Sequence, residues 1–471
     1  MTKRSGPSRQ PKPSSVQGGG ARGAALEVLT NVFEHGAYSN LSADAVLRKA
    51  PLDARDRAFA SALVYGTVSR VISIDRLLTD VSSMPLTKME PKVRNILRMG
   101  VWQLVFSRSV PPHAACSESV ELAKAVSNKG AVGMVNGILR RIASHPPEIA
   151  SWDYAMRHAL PVWLADRLQA WYGSEVAESI AQASNEPPRL TLRVNRLRCD
   201  PAALEQSLSE EGVVCRAAAF HPDALTVDLS GRPLDSLQSF SEGWFMAQDE
   251  AAMLVSTIAD PKPEQQVLDV CAAPGGKSCH IAELTRDTAR ILACDLHPAR
   301  LRLVEENARR LGLSGIRTCV SDASEPPPEP PAGHPATEWM DLVLCDVPCS
   351  GLGLLARKPE IRLIPDPGDW ESLIEIQRAI LSASAEKVKP GGTLVYSTCT
   401  INPDENVHQA DWFLSSQSGR FSPEGFSDRL PEALVRLNPA LVRQASEGRM
   451  QLLPGVHPCD GFFIARFRRN P

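Results

Sequence analysis

Two cysteines, Cys349 in Asp346-Val347-Pro348-Cys349-Ser350 and Cys399 in Ser397-Thr398-Cys399-Thr400, each follow an apolar, strand-like run. The runs are Asp341 to Cys345 and Thr393 to Tyr396. In an open α/β sheet, ligands bind at the carboxyl ends of parallel strands, so both thiols are expected to face one crevice. Such a pair suits chemistry on a pyrimidine ring. Carbon 5 of cytosine or uracil is a poor nucleophile, but a thiolate added at carbon 6 makes it enamine-like and able to attack a methyl sulfonium. The proton on carbon 5 must then leave before the bond between sulfur and ring can break, which calls for a second group beside the first thiol as base or relay. Residue types and spacing leave open which cysteine does which. Asp346 is placed to hydrogen-bond the ring nitrogen or amino edge and stabilise charge that develops during attack. Pro348 removes a backbone donor and fixes the turn that presents Cys349.

Three further runs end in an acid: Asp269 after Val267-Leu268, Asp295 after Cys294, and Asp322 after Val320-Ser321. Strand-end carboxylates of such a sheet commonly hold a nucleoside, and Asp295 stands 19 residues beyond Gly276, where a ribose-binding acid is expected. The glycine turn Cys271-Ala272-Ala273-Pro274-Gly275-Gly276-Lys277-Ser278 lies between Asp269 and Asp295 and lets backbone approach a ligand closely. It is not a phosphate loop, which needs glycine where Cys271 stands, and Gly-x-Gly-x-x-Gly is absent. An adenosine-containing ligand without a pyrophosphate is expected, and S-adenosyl-L-methionine fits better than a dinucleotide. Cys271 to Lys277, Asp295, Asp322 and Asp346 are its candidate contacts.

From residue 246 to 471 strand-like runs alternate with helical ones, which predicts a doubly wound, Rossmann-like parallel sheet. The Pro-rich stretch 325 to 337 interrupts it as a loop without regular structure. Residues 148 to 245 mix a helix near Pro161 to Ser184, strands such as Leu190-Thr-Leu-Arg-Val-Asn and a helix Pro201 to Glu211, and predict a small α+β domain that recognises nucleic acid or links its neighbours. Residues 21 to 147 show helical spacing throughout, as in Val93, Ile96, Leu97, Gly100, Val101 and Leu104, and predict an all-α bundle with helices that include Arg57 to Arg70 and Ile72 to Val81. Residues 1 to 20 read as a disordered basic tail, since Lys3, Arg4, Arg9 and Lys12 stand among Pro, Ser and Gly with no acid.

A length of 471 residues suits about three domains, and a net charge of −3 means that any basic, nucleic-acid-facing surface is local. No apolar run is long enough for a membrane span, and no apolar segment follows the N-terminal charges as a secretory leader requires. The 11 cysteines are odd in number and form no Cys-x-x-Cys, so neither disulfides nor a metal site is expected and the thiols imply a cytoplasmic address. A monomer is expected.

Leu268-Asp-Val-Cys-Ala-Ala-Pro-Gly-Gly-Lys-Ser, Asp346-Val-Pro-Cys-Ser-Gly-Leu-Gly, Arg357-Lys-Pro-Glu and Gly391-Gly-Thr-Leu-Val-Tyr-Ser-Thr-Cys-Thr resemble the Nop2/Sun (RsmB/NOP) family of RNA 5-methylcytosine methyltransferases. Ala62-Leu-Val-Tyr-Gly-Thr-Val and Val135-Asn-Gly-Ile-Leu-Arg-Arg look like the NusB-type RNA-binding bundle. Their combination over residues 21 to 471 is similar to the members that methylate carbon 5 of a cytosine in small-subunit (16S) rRNA. The resemblance implies that Cys399 is the nucleophile and Cys349 assists product release. It also implies that Asp295 and Asp322 hold the ribose and adenine of the donor, with Gly275 and Lys277 near its methionine end and Asp346 between donor and base. The segment beginning at Pro188 would belong to the RNA-binding part. Val347, Thr400 and Ser278-Cys279 depart from the usual Ala, Ser and Thr-Thr without removing a reacting atom. Two alternatives keep part of this pattern, a tRNA cytosine-C5 methyltransferase and a non-catalytic RNA-binding assembly or antitermination factor; the latter has no need of the paired cysteines.

Overall fold

A computed structural model describes residues 20–325, 340–366, 368 and 370–471. The expected basic tail lies outside the described residues except for Gly20, and the Pro-rich stretch lies outside them except for Glu325. The chain divides into two compact units between Ala159 and Leu160.

The first unit is all helical, as expected, with helices Gly20–His35, Ser39–Leu47, Ala54–Val81, Pro91–Val101, Pro112–Val126, Lys129–Ser144 and Tyr154–His158. Side-chain caps begin three of them, where Asp53, Asn128 and Asp153 accept the backbone N–H groups of Asp56, Ala131 and Met156. The two helices expected at Arg57 to Arg70 and Ile72 to Val81 are one helix of 28 residues, because no breaker separates them and Val71 is buried within it. Leu26, Leu29, Leu63, Val64, Ile96, Leu97 and Leu139 form the core, each burial contributing roughly 2 kcal/mol. The short helix Tyr154–His158 is pinned to the long one by Ser73 Oγ donating to the Met156 carbonyl at 2.5 Å and Arg70 donating to the Arg157 carbonyl at 2.9 Å. Residues 148–159 therefore go with the bundle and not with the domain that follows.

The second unit opens with helix Val162–Ala183, broken at Gly173, where φ is 74°. Four antiparallel strands follow: β1 (Leu190–Val194), β2 (Val214–Ala217), β3 (Ala224–Asp228) and β4 (Phe245–Ala247), in the order β2-β3-β1-β4. Leu192 and Val194 turn inward with Leu204, Leu208, Leu225 and Phe245. The opposite face of β1 is buried too: Arg193 has no exposed surface and pairs with buried Glu283 at 2.7 Å. The small sheet is thus packed into the unit and is no loose linker.

The large sheet contains β5 (Gln266–Asp269), β6 (Arg290–Asp295), β7 (Ile316–Val320), β8 (Met340–Asp346), β9 (Val388–Thr398), β10 (Phe421–Pro423), β11 (Arg449–Leu452) and β12 (Phe462–Arg469). Its order is β10-β12-β9-β8-β5-β6-β7, with β11 also paired to β12. β5 to β9 are parallel, as predicted. β10, β11 and β12 are antiparallel additions on the β9 side, so the sheet is mixed. Chain order reverses between β5 and β8, which places the ligand crevice at their carboxyl ends.

Candidate active site

β8 and β9 are adjacent and in register, Asp346 beside Ser397, so the turns that leave them rise from one end of the sheet. Those turns bring Cys349 and Cys399 together with their sulfurs 3.3 Å apart. A hydrogen bond from Cys349 lowers the Cys399 pKa against burial and the Asp346 charge, which raise it, and Lys277 and Lys358 lower it further. The same hydrogen bond, followed by burial, pushes Cys349 well up. The shifts run in opposite directions, favouring Cys349 as the protonated partner and Cys399 as the readier thiolate, a distinction that residue spacing left open.

Beside the sulfurs, Asp346 is held at both oxygens, by Ser397 Oγ at 2.7 Å and by Lys277 Nζ at 2.6 Å. Asp346 and Lys277 are 69 residues apart in sequence, and the lysine reaches β8 from the first turn of helix Gly276–Leu284. The loop after Cys349 is tied to the Cys399 turn by Gly353 N–H donating to the Cys399 carbonyl at 3.1 Å. A Cβ at Gly353 would lie 2.2 Å from the Gly461 carbonyl oxygen, so only glycine permits this approach.

The expected cofactor residues line the neighbouring strand ends. Ala272 N–H donates to the Cys294 carbonyl at 2.7 Å, holding the glycine turn against β6. Ala272 and Ala273 are buried, Cys271 is half-buried, and Pro274, after a cis peptide, is exposed. Gly275, at φ 100°, turns the chain into the helix that begins at Gly276. Asp295 is buried, accepts His297 N–H at 3.0 Å and pairs with Arg300, which also donates to the Ala273 carbonyl at 3.0 Å. Asp322 instead is exposed beyond β7, where it accepts Ser324 N–H and Oγ–H at 2.9 and 2.6 Å, and these hydrogen bonds lower its pKa. Asp269 is buried and accepts Ser278 Oγ–H at 2.6 Å through one oxygen, while its other oxygen is buried without a partner. Burial pushes its carboxyl up to about 6.

Several residues at the site carried no role in the sequence reading. Arg357 bridges Asp249 at 2.8 Å and Asp460 at 2.5 Å, and burial together with Asp249 raises Asp460 to about 7. Its motif was visible, but its acidic partners lie more than 100 residues away. Glu405, six residues beyond Cys399, accepts donors from both cysteine turns; in sequence it is one acid in an ordinary Pro-Asp-Glu-Asn turn. The site as a whole offers two hydrogen-bonded thiols, one of them with a lowered pKa, and a lysine-paired carboxylate, beside strand ends that carry acids. It can add a sulfur to an electron-poor carbon and then remove a proton from the neighbouring atom. Among the described residues, no three or more His, Cys, Asp or Glu side chains are grouped to hold a metal ion, and no helix is long and apolar enough to cross a membrane.

Residues 256–468 match the family described as 16S rRNA methyltransferase RsmB/F, residues 20–144 the NusB family, and residues 160–232 the RsmF/B-like, ferredoxin-like domain. The chain is 36% identical over 455 residues to the "Probable ribosomal RNA small subunit methyltransferase B" of Synechocystis sp., covering 95% of this chain and 99% of the relative. The crystal structure of PH0851 shares the fold at a TM-score of 0.77 and 24% identity, covering 95% of this chain and 98% of that one. NSun6 from Pyrococcus horikoshii with SFG shares it at 0.55 and 22% identity, covering 67% and 99%.

Proposed function

We propose that this chain, which belongs to the ribosomal RNA small subunit methyltransferase B family, methylates carbon 5 of a cytosine in 16S rRNA through a covalent adduct at carbon 6. The observation that carries the reading is the meeting of Cys349 and Cys399 at 3.3 Å with their protonation biased in opposite directions.

Cys399, the sulfur whose pKa is lowered, adds to carbon 6 as the thiolate. Asp346 accepts from the amino group of the base, its own orientation fixed by Ser397 and Lys277. Once Cys399 is bonded to carbon its charge is gone, and with it a principal reason for Cys349 to stay protonated. Cys349 can then lose its proton to water, take the proton from carbon 5, and let the sulfur of Cys399 leave by elimination. Carbon 6 is reached from the face of the ring, so the target base is flipped or single-stranded when it enters.

The strand-end residues fit S-adenosyl-L-methionine, which supplies an electrophilic methyl group when bound. Asp295 would hold the ribose and Asp322 the adenine, with Cys271 to Lys277 along the methionine end. The partnerless oxygen of buried Asp269 at the same strand ends is in keeping with a polar ligand there, and NSun6 from Pyrococcus horikoshii carries SFG, an S-adenosylmethionine analogue. The helical unit and the small antiparallel sheet are the RNA-binding parts in this reading, and a cytoplasmic enzyme keeps the two thiols reduced.

Transfer of labelled methyl from S-adenosyl-L-methionine to undermethylated 16S rRNA, with tRNA as competitor and mapping of the product, tests the proposal. A single 5-methylcytosine in 16S rRNA is expected. Label in tRNA alone, or in neither RNA, would overturn it.

A further inference from the structure

We infer that Glu405 is a positioning residue for the reaction, its buried carboxylate tying the turn after Cys349 to the turn after Cys399 and so setting how the two sulfurs meet. The inference rests on the function proposed above and adds to it a residue that touches neither base nor donor.

Glu405 is fully buried in the short turn Pro403–Glu405. One oxygen accepts the backbone N–H of Ser350 at 2.8 Å and Gln377 Nε2 at 3.0 Å. The other accepts the hydroxyl of Ser350, Asn402 Nδ2 at 3.1 Å and Thr400 Oγ1 at 3.4 Å. Ser350 follows Cys349 and Thr400 follows Cys399, and their hydroxyl oxygens are 2.7 Å apart. Ser350 gives its one hydroxyl proton to the Glu405 carboxylate and so accepts from Thr400, whose own proton is shared between Ser350 at 2.7 Å and Glu405 at 3.4 Å. Gln377 also donates to the Pro348 carbonyl at 3.0 Å, so one amide group links the residue before Cys349 to the Glu405 carboxylate. Tyr396 at the end of β9 donates to the Glu405 carbonyl at 2.7 Å.

All these donors are neutral, an expensive arrangement for a buried carboxylate if packing were its only task. The charge has a use here. The hydrogen bond with Cys399 and burial raise the Cys349 pKa most, and the charges of Cys399 and Glu405 add to that in the same direction. A neutral group of the same shape would hold the turns less well and relax the preference for placing the charge on Cys399.

The test uses the full-length protein and two variants. Glu405→Gln keeps the shape, removes the charge and turns an N–H group toward existing donors; Ser350→Ala keeps the carboxylate and removes one hydroxyl link. Alkylation of Cys349 and Cys399 by iodoacetamide is followed across pH by mass spectrometry, beside single-turnover methyl transfer and the KM for S-adenosyl-L-methionine. In Glu405→Gln the preference for Cys399 should narrow by about tenfold, and single-turnover rate should fall on the order of 100-fold with donor KM held within about twofold. Ser350→Ala should move both in the same direction by roughly a tenth as much. An unchanged alkylation preference and rate in Glu405→Gln would overturn the inference. Should that variant not fold, the same unchanged result in Ser350→Ala would overturn it. Failure of the wild-type protein to methylate RNA would refute the proposed function separately, since the alkylation preference is read without RNA or donor.

Discussion

Lys277 on the helix after the glycine turn and Asp346 at the end of β8 close a 2.6 Å ion pair that joins the crevice of the strand-end acids to the two cysteines. Burial opposes the charge on Lys277, yet Asp346 raises its pKa on balance, so the lysine is held charged. Asp346→Asn should keep the Ser397 contact and the fold but lose the negative charge that faces the base. Single-turnover methyl transfer is expected to fall about 100- to 1000-fold, the scale of losing one preorganised electrostatic contact. A fall of less than tenfold would remove Asp346 from the reaction.

The unequal proton between the cysteines gives a second expectation. Cys399 should alkylate ahead of Cys349 near neutral pH, because its pKa is lowered mainly by the hydrogen bond from Cys349. Cys349→Ala removes that donor, so the alkylation profile of Cys399 should move to higher pH, while Cys349→Ser, which keeps a hydroxyl, should move it less. Peptide mapping after a pH series of iodoacetamide pulses gives the answer, and a Cys399 profile insensitive to position 349 would contradict the account.

Asp269 should make stability depend on pH. Its folded carboxyl is raised from 3.8 to about 6, so the folded state binds the proton more tightly than the unfolded chain. Stability from this group is therefore lost as pH rises from about 4 to about 6, and the full penalty, at most about 3 kcal/mol, stands above that range. Asp269→Asn accepts the same Ser278 bond without a charge. Urea titrations should show the variant gaining on the wild type between pH 4 and pH 7; a difference that is constant across pH would refute the assignment.

Arg193 and Glu283 form a pair that is buried on both sides. Arg193 also donates to the Gly276 carbonyl at 2.7 Å, linking the small sheet to the glycine turn. Arg193→Met should cost roughly 3–5 kcal/mol because it strands a buried carboxylate, and adding Glu283→Gln should recover part of that loss. Equal stability of single and double variants in chemical unfolding would show that the pair is not coupled.

The parallel strands and both cysteine turns were legible because apolar runs of four or five residues, each ended by an acid or a turn, leave few other arrangements. β12 was not, although Phe463, Ala465 and Phe467 alternate, because Arg466, Arg468 and Arg469 break the apolar run; buried Arg466 and partly exposed Arg468 both meet Glu424. Arg193 misled in the opposite way: in an alternating strand it reads as the wet face, and tertiary packing buries it. The sequence placed Asp295 and Asp322 alike, whereas the fold buries one and leaves the other exposed. Contacts between distant residues, Lys277 with Asp346 and Glu405 with Ser350, follow from strand order and could not be read from spacing. The division of roles between the cysteines follows from the family resemblance and not from spacing, whereas their meeting at 3.3 Å follows from the adjacency of β8 and β9.

The most direct test of the central claim is denaturing electrophoresis of Cys349→Ala incubated with undermethylated 16S rRNA and S-adenosyl-L-methionine, beside Cys399→Ala and the double variant. Cys349→Ala should run as a protein–RNA adduct that survives denaturant, carried through Cys399 and holding a methylated base. Cys399→Ala and the double variant should give none. An adduct in Cys399→Ala, or ready release of methylated RNA by Cys349→Ala, would contradict the assignment of attack to Cys399 and release to Cys349.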